Sequence, residues 1–587
     1  MSHLALLALV VASAPATAAQ LTNLGIASSP QHPGAVNGDL VAWVGDEFAH
    51  GADLDGDGTR LDLVLFTRRA SVGITRNTHL SLTSTGSLQL SDRLCVALVR
   101  ESQTGSAAGQ DLNGDGDRLD GVFQVYDSQS DDIRNLALAG GSDSGLGAPL
   151  MAAHGPHVLF GVFEASQGLD LNADNDLFDF VLHQWHADTL HTANLGLAVQ
   201  GSSTERLVVG PRHALFLVSE AGQRADLNGD GDMVDAVVHH LEFSTGTMID
   251  LALAARAIRG DGDLFAIVVQ EQTQGWQDLD GDGDFNDDVL YAYLAPTSTL
   301  RALSPSVHVM AAGPQFDVRG FVVAWGSPEE YAGSGTDWNG NGFTNNVVLC
   351  THQARAGVTR NSGLAIPANF AEAYRFAIAG ARVMASVDEG AQSGTDWNGD
   401  GVANDDVAIL FDSTTGTVQN LGIASYFDSP RSGEWGTAWI ASRGLLTFCV
   451  DELGEGQDLN GDGRIAPALA VHLMGIGITS ILPASPKIPL QAHCIDDRVF
   501  YLADESVSLP VADRNGDGDT LDDVLTSWSA TTGVTTNHAL ALNPWDVFGS
   551  HTRARAILVQ VAESQQGGQD LNGDGNAQDD VAHLLVP

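Results

Sequence analysis

An acidic loop motif, Asp-Leu-Asn/Asp-Gly-Asp-Gly followed by a further acid, recurs ten times along the 587 residues. Consecutive copies begin 52 to 62 residues apart, and no linker or low-complexity segment separates them. Self-similarity at a near-constant period indicates a repeat architecture in which each copy is one supersecondary unit. We therefore predict one repeat array over residues 20–587. The loops, numbered 1 to 10 together with their repeats, begin at Asp53, Asp111, Asp170, Asp226, Asp278, Asp337, Asp396, Asp458, Asp513 and Asp570.

Each repeat contains four short apolar runs separated by Gly, Pro, Asp and Ser. In repeat 4 these runs are 207–209, 214–220, 236–243 and 248–254, and the acidic loop joins the second run to the third. Short β-rich runs bounded by turn residues indicate strands, and no stretch shows the 3.6-residue period of an amphipathic helix. Four strands per repeat predict an all-β fold, a β-propeller with one blade per repeat.

The two ends of the chain complement each other. A fourth strand with the pattern Asn-Leu-x-Leu-Ala occurs at 135–139, 194–198 and 420–424, but repeat 10 stops at Pro587 after its third strand. A matching segment, 21–27, lies at the N-terminus. An N-terminal strand that completes the last blade would cover open sheet edges. We therefore predict a single closed ring of about ten blades; an open solenoid and two five-bladed rings remain as alternatives.

The acidic loops carry the spacing of a calcium site. Counting from the first Asp as offset 0, oxygen-bearing side chains recur at offsets 0, 2, 4 and 9, and offset 5 is Gly or Asn. Ca²⁺ takes 6–8 oxygen ligands, which alternate side chains of a wrapped loop can supply. The predicted ligands are Asp53, Asp55, Asp57, Asp62, Asp111, Asn113, Asp115, Asp120, Asp170, Asn172, Asp174, Asp179, Asp226, Asn228, Asp230, Asp235, Asp278, Asp280, Asp282, Asp287, Asp396, Asn398, Asp400, Asp405, Asp458, Asn460, Asp462, Asp513, Asn515, Asp517, Asp522, Asp570, Asn572, Asp574 and Asp579.

An EF-hand does not explain these loops. Its bidentate Glu would stand at offset 11, where this chain has Val or Leu. The motif instead resembles the Asp-x-Asp-x-Asp-Gly calcium loops of integrin-type FG-GAP and VCBS propeller repeats, with the closing Asp at offset 9 where that pattern has it at offset 8. The resemblance implies a propeller with calcium between strands, an architecture frequent in adhesion and ligand-binding surfaces.

The loops are not equivalent. Loop 6 has one acid, Asp337, surrounded by asparagines, and loop 8 has Pro467 at offset 9. On ligand count we predict about eight strong Ca²⁺ sites and two weak ones.

A glutamate also recurs at the end of the second strand of every repeat. It is predicted either to complete the cation shell or to cap loop amides. The set is Glu47, Glu101, Glu164, Glu220, Glu271, Glu330, Glu389, Glu452, Glu505 and Glu563.

The charge of the chain follows from its loops. Offsets 0 to 10 hold 38 of the 74 acids, and the formal net charge is −47 with only 27 Lys and Arg. A polyanion needs basic residues to neutralise its phosphates, so nucleic acid is excluded as a partner. Empty clusters of carboxylates would repel one another, and this composition therefore predicts a metal-dependent fold.

The N-terminus predicts export. Residues 1–19 read as a signal peptide with cleavage near Ala18 or Ala19, and no apolar run of about 18 residues follows. We predict a secreted protein, extracellular or periplasmic, without a transmembrane segment. The four cysteines are predicted to be buried and free, with a Cys449–Cys494 bridge as the alternative.

The sequence contains no nucleophile, zinc-hydrolase or phosphate-loop signature. We predict a calcium-binding surface module with a protein or glycan ligand, not an enzyme; the alternative is a calcium-dependent extracellular hydrolase or lyase with its site at the propeller axis. Trp338 and Trp397, at offset 1, are predicted to lie under their loops, with a sugar platform as the alternative. A group of histidines is predicted to spread over both sheet faces without forming a zinc site: His183, His186, His191, His239 and His240.

Overall fold

A computed structural model of the chain describes residues 20–28, 34–83, 87–106, 108–142, 150–199, 206–281, 283–307, 309–310, 313–314, 316–331, 336–367, 376–425, 440–442, 444–474, 477–482, 492–507, 511–548 and 555–587. The predicted signal peptide lies outside these residues.

The described residues form an all-β fold of forty strands. These are β1 Gln20–Ser28, β2 Ala35–Asn37, β3 Leu40–Asp46, β4 Leu63–Arg69, β5 Thr75–Ser81, β6 Leu88–Leu90, β7 Leu94–Arg100, β8 Asp120–Asp127, β9 Asp132–Ser142, β10 Met151–His154, β11 His157–Phe163, β12 Phe180–His186, β13 His191–Val199, β14 Leu207–Val209, β15 His213–Ser219, β16 Ala236–Glu242, β17 Thr247–Asp261, β18 Leu264–Gln270, β19 Asp288–Leu294, β20 Thr299–Val307, β21 Val309–Met310, β22 Gly313–Pro314, β23 Phe316–Arg319, β24 Val322–Pro328, β25 Val347–Gln353, β26 Val358–Ile366, β27 Ala377–Ala379, β28 Arg382–Asp388, β29 Asp406–Asp412, β30 Val418–Ala424, β31 Ile440–Ser442, β32 Leu445–Val450, β33 Ala468–Leu473, β34 Ile478–Ile481, β35 Ala492–Ile495, β36 Arg498–Asp504, β37 Asp523–Ser529, β38 Thr535–Phe548, β39 Ile557–Ala562 and β40 Asp580–Val586.

The strands pair as antiparallel meanders. Repeat 1 forms the sheet β2-β3-β4-β5, and repeats 2, 6, 7 and 8 form β6-β7-β8-β9, β23-β24-β25-β26, β27-β28-β29-β30 and β31-β32-β33-β34. The sheets of repeats 3 to 5 are continuous through β10–β20, and those of repeats 9 and 10 are continuous through β38. Each acidic loop joins the second and third strands of its meander, as the sequence predicted.

Short helical turns follow the second strands. Four are α-helical, α1 Glu47–His50, α2 Glu164–Gln167, α3 Glu220–Gln223 and α4 Glu452–Glu455, and three are 3₁₀ turns at Glu101–Gln103, Glu329–Tyr331 and Glu563–Gln565. A fourth 3₁₀ turn, Ala295–Thr297, joins β19 to β20. In α1 the Asp46 side chain accepts hydrogen bonds from the amides of Phe48 and Ala49, which satisfies donors that a helix start leaves unpaired.

The second strand of each sheet is mainly apolar on both faces because both faces are covered. In β15, Phe216 and Val218 pack into a cluster with Leu159 of repeat 3. Leu215 belongs to a cluster with Phe265 of repeat 5. Since successive side chains of a strand point to opposite faces, each sheet is packed between its two sequence neighbours.

Such clusters join every pair of consecutive repeats within the described residues. A further cluster joins the first repeat to the last, through Trp43 and Val36 on one side and Leu558 and Leu584 on the other. The N-terminal strand β1 pairs antiparallel with β40, from Gln20 opposite Val586 to Ser28 opposite Asp580. The prediction that residues 21–27 provide the fourth strand of repeat 10 is confirmed.

Candidate metal centres

The recurrent glutamate at the end of the second strand is the buried centre of each loop. In repeat 4, Glu220 Oε1 accepts the amides of Leu227 and Asn228 at 2.6 and 3.2 Å, and Oε2 accepts that of Asp235 at 3.2 Å. These glutamates are at most 1% exposed in all ten repeats, and each accepts amides from both ends of its loop. Of their two predicted roles, the hydrogen bonds show the capping of loop amides. The other role, completion of a cation shell, stays a prediction, and the carboxylates of Glu47, Glu101, Glu164 and Glu220 do lie among groups of acids that could hold a metal ion.

The sequence prediction for repeat 6 was wrong by one residue. Glu329, not Glu330, accepts the amides of Trp338 and Asn346, at 2.6 and 3.2 Å. Strand β24 ends at Pro328, so Glu329 is the first residue after the strand, as Glu47 is after β3. Glu330 is exposed.

The first Asp of each loop organises the turn. Asp226 Oδ1 accepts the amide of Gly229 at 2.6 Å, and its Oδ2 accepts that of Gly231 at 3.0 Å. The same pair of bonds occurs in all ten loops. The offset-5 residue is left-handed as predicted, with φ of 101° at Gly231 and 74° at Asn175, because this sharp turn requires Gly or Asn.

The fourth strand also holds the loop, which sequence analysis did not predict. The Asn of the Asn-Leu-x-Leu-Ala pattern donates its side-chain amide to the main-chain oxygen at offset 1 of its own loop. Asn135 bonds Leu112 O and Asn194 bonds Leu171 O, both at 2.8 Å. Asn77, Asn420 and Asn537 make the same contact.

Carboxylates converge inside several loops. In loop 1, one oxygen each of Asp55, Asp57 and Asp62 lie within 4.8 Å of one another. Asp57 and Asp62 are 7% and 1% exposed, and Asp57 Oδ2 and Asp62 Oδ1 are buried without a hydrogen-bond partner. Two buried anionic oxygens without a donor are unfavourable unless a cation or proton reaches them.

In other loops the cluster includes residues that sequence analysis left out. Asp176 joins Glu164, Asp174 and Asp179 in loop 3. Asp117 and Asp232, also at offset 6, lie close to the closing aspartates of loops 2 and 4. The sequence prediction discounted offset 6 because its residue type varies, but in loops 2, 3 and 4, where it is Asp, it belongs to the cluster.

Burial raises the pKa of the closing aspartates far above the ordinary value of about 3.9 for Asp. Loss of water is the largest cause, and the neighbouring loop carboxylates add to it. The pKa is raised to about 7 for Asp62, Asp120 and Asp235 and to about 6 for Asp179, Asp405, Asp522 and Asp579. These carboxyls are therefore poised to take up positive charge.

Loops 6 and 8 keep the backbone turn but lack the closing acid. In loop 6, Asn346 stands at offset 9 and donates its amide to Glu329. In loop 8, Pro467 has no amide, and Glu452 accepts that of Ala466 at 3.0 Å instead. Among the other predicted ligands, Asp282 of loop 5 lies outside the described residues.

The tryptophans at offset 1 are half-buried. Trp397 packs against the cluster between repeats 6 and 7, and Trp338 has a buried indole nitrogen. The predicted burial of these two side chains is therefore confirmed only in part. The four cysteines are buried and free, so the alternative Cys449–Cys494 bridge is not formed.

The histidines divide between sheet faces as predicted. His183 and His239 are buried and each bonds a main-chain oxygen two residues earlier on its own strand. On the opposite face of β12, His186 lies directly across from His157 and from His191. His157 could not be placed with them from sequence, because that requires the strand register.

A cavity of about 470 Å³ lies beside this row of histidines, between repeats 3 and 4. Its lining includes His157, His186, His191, Arg212 and Phe243. The ring of His157 stacks on that of Phe243 with centroids 3.9 Å apart. The cavity lies at the strand ends opposite the acidic loops, where neighbouring strands are joined by hairpin turns.

No protein-family model matches the chain, and no curated protein does. Among solved structures, it is similar to the tricorn protease at 11% identity and a TM-score of 0.28, over 89% of this chain and 45% of that one, so it spans about half the length of that protein. It is similar at 9% identity and a TM-score of 0.26 to the β-propeller domain of the Trilobed protease from Pyrococcus furiosus, over 66% of this chain and 93% of that one. A chain from a structural analysis of two prolyl endopeptidases also matches, at 10% identity and a TM-score of 0.28, over 74% of this chain and 52% of that one. In the described part of the chain, no helix is long and apolar enough to cross a membrane.

Proposed function

We propose that this chain is a secreted, calcium-loaded β-propeller of ten blades that serves as a binding or structural surface module. The observation that carries the calcium proposal is the pair of buried oxygens in loop 1, Asp57 Oδ2 and Asp62 Oδ1, which have no donor. Such oxygens are unfavourable when buried unless a cation or a proton compensates them, and a cation would serve both carboxylates at once.

Calcium fits the donors better than other ions. The loops offer carboxylate, carboxamide and main-chain oxygens, whereas zinc and copper sites use nitrogen or sulfur ligands. Mg²⁺ demands near-ideal octahedral geometry and usually keeps several waters. Ca²⁺ accepts 6–8 oxygens in flexible arrangements, which suits loops whose ligand sets differ from copy to copy.

The closed ring rests on the contacts between the chain ends. The cluster that contains Trp43 and Leu558 joins repeat 1 to repeat 10, and β1 pairs with β40. Both contacts follow directly from a ring, whereas an open solenoid would leave the outer faces of repeats 1 and 10 apart.

The proposal of a binding or structural module, and not an enzyme, rests on the acidic loops, in which calcium would stabilise structure. Their ligand oxygens also serve as acceptors for loop amides, so an ion would fix the loop rather than present itself to a substrate. The cavity beside His186 is a candidate place for a protein or glycan ligand, since it combines polar side chains with the aromatic surface of Phe243.

Thermal unfolding of the full chain in excess Ca²⁺ and in excess EGTA tests the proposal. An ion that binds only the folded state adds about 2.7 kcal/mol per site at a hundredfold excess over its Kd, so the melting temperature should fall sharply on chelation. If Mg²⁺ raised the melting temperature as much as Ca²⁺ does, the choice of Ca²⁺ would be contradicted. If EGTA did not change the melting temperature, the calcium proposal would fail. Isothermal titration of the stripped protein should give about eight ions per chain, from the ligand counts.

A further inference from the structure

The offset-2 asparagines extend from their own loop to the next repeat. Asn228 Nδ2 lies 3.1 Å from the main-chain oxygen of Thr273 in repeat 5, and Asn172 Nδ2 lies 2.9 Å from that of Gly222 in repeat 4. The other contacts of this kind are Asn113 to Ser166 O, Asn339 to Ala391 O and Asn515 to Gln565 O, at 2.9, 3.2 and 2.7 Å.

The accepting oxygen occupies the same place in each repeat. It belongs to the second residue after the buried glutamate, as Thr273 follows Glu271 and Gly222 follows Glu220. This residue lies in the short turn that anchors the loop of the next repeat. The contact therefore runs from one loop to the support of the following loop.

The side-chain oxygen of each offset-2 asparagine lies within its own loop. Asn228 Oδ1 accepts the amide of Asp230 at 3.1 Å, and offset 2 is one of the predicted ligand positions. An amide group is planar, so fixing its oxygen fixes its nitrogen. Asn228 Nδ2 carries two hydrogens, which serve Asp235 Oδ2 at 3.2 Å and the oxygen of Thr273 at 3.1 Å. An ion held by Asn228 Oδ1 would fix the direction of the N–H that reaches Thr273.

Loop 1 shows what happens without the carboxamide. Its offset-2 residue is Asp55, which has no N–H to donate, and Asp55 Oδ2 accepts from Ser81 Oγ of its own repeat. This is also the loop in which Asp57 and Asp62 keep unpartnered buried oxygens. An Asp at offset 2 thus offers a charged oxygen and no bridge, whereas the Asn of loops 2, 3, 4, 6 and 9, the Asn-type loops, offers a neutral oxygen and a bridge. Asn398 instead contacts the Glu455 side chain, and Asn460 donates within its own loop.

We propose that calcium in the Asn-type loops regulates cohesion between consecutive repeats, with the offset-2 carboxamide as the coupling element. Its oxygen binds the ion and its nitrogen holds the main-chain oxygen of the next repeat. This inference rests on the proposed calcium binding. It adds that an ion in one loop stabilises the turn beneath the following loop. Calcium binding in one repeat would thus also stabilise the next repeat.

Hydrogen exchange of the full chain, with and without Ca²⁺, tests the coupling through a reciprocal pair of substitutions. In the wild type, Ca²⁺ should slow exchange both in loop 4 and in residues 271–276 of repeat 5. Asn228→Asp keeps an oxygen ligand and removes the N–H donor. Loop 4 should stay calcium-protected, while the protection of 271–276 should fall about fivefold, the value of one ordinary hydrogen bond.

The opposite substitution, Asp55→Asn, should add calcium-dependent protection to residues 101–104 of repeat 2. Asp235→Asn, which removes a predicted ligand of loop 4, should abolish protection at both places. If 271–276 keep full protection in Asn228→Asp, the coupling is refuted while calcium binding stands. If Ca²⁺ protects no loop of the wild type, the calcium proposal itself fails, and the coupling fails with it.

Discussion

Asn23 donates its side-chain amide to the main-chain oxygen of Leu571 at 2.8 Å, across 548 residues of sequence. Asn135 makes the same bond to Leu112 within repeat 2. Residues from opposite ends of the chain thus reproduce a contact that other repeats make internally. The N-terminal strand therefore supports the loop of repeat 10 in the same way that a fourth strand supports the loop of its own repeat.

Asn23→Ala should destabilise the protein by about 1–2 kcal/mol, because it removes two hydrogen bonds, the one to the Leu571 oxygen and the one that Asn23 Oδ1 accepts from the Gly25 amide. Urea unfolding in saturating Ca²⁺ measures the change. Gln20→Ala is the control, since Gln20 is exposed on the same strand. Equal stability of the two variants would mean that the Asn23 bond does not help to join the ends of the chain.

The recurrence of the motif is why so much of the fold could be predicted. Each acidic loop marks one connection between second and third strands, and the Asn23 pattern identifies the displaced fourth strand. The distinction between Glu329 and Glu330 could not be predicted, because two adjacent glutamates fit the pattern and only the end of β24 at Pro328 decides between them.

Contacts between strands and between repeats could also not be predicted from the sequence. The row of His157, His186 and His191 depends on strand register, which a hydrophobic pattern fixes only to within two residues. The bond from Asn228 to Thr273 depends on how one sheet packs against the next. Ligand types could be identified from local spacing, whereas their partners outside the loop could not.

The adjacent glutamates of repeat 6 provide a matched test of the buried cap. Glu329→Gln places an amide N–H₂ where an oxygen now accepts backbone amides, so stability should fall by about 2–3 kcal/mol, the cost of an unsatisfied buried group. Glu330→Gln makes the same chemical change on an exposed side chain and should leave stability within about 0.5 kcal/mol. Chemical denaturation of both variants in EGTA measures the difference without bound calcium. A similar loss in both would argue against the assignment of Glu329.

Loop 6 should gain an ion when its missing acids are supplied. It keeps the turn of the other loops, with Asp337 accepting the amides of Gly340 and Gly342 at 2.7 and 2.8 Å. Asn341→Asp together with Asn346→Asp restores carboxylates at offsets 4 and 9. Metal analysis after gel filtration should then show one more Ca²⁺ per chain than in the wild type. The control is Gln129→Glu, on an exposed residue outside the loops, which should leave the ion count unchanged. An unchanged count in the loop 6 variant would mean that ligand number does not limit this site.

A buried chain of side chains between repeats 4 and 5 predicts how stability depends on pH. His240 is 2% exposed, and it bonds His213 at 3.1 Å and the Tyr293 hydroxyl at 2.9 Å. Burial, helped by the neighbouring His213, lowers the pKa of His240 to about 4. Glu242 acts weakly in the opposite direction.

His240 therefore binds less of a proton in the folded protein than in the unfolded chain over the pH window from about 4, its folded pKa, to about 6.5, its unfolded pKa. The stabilisation is complete above about pH 6.5 and is lost as the pH falls toward 4, by about 3 kcal/mol in total. His240→Gln keeps hydrogen-bonding groups without this titration, so the stability gap between wild type and variant should change by that amount across the window. Measuring both proteins at each pH in saturating Ca²⁺ cancels the acid response of the loops, which they share. His191→Gln, on an exposed residue, should run parallel to the wild type, and an equally parallel His240→Gln curve would show that His240 is not held neutral by burial.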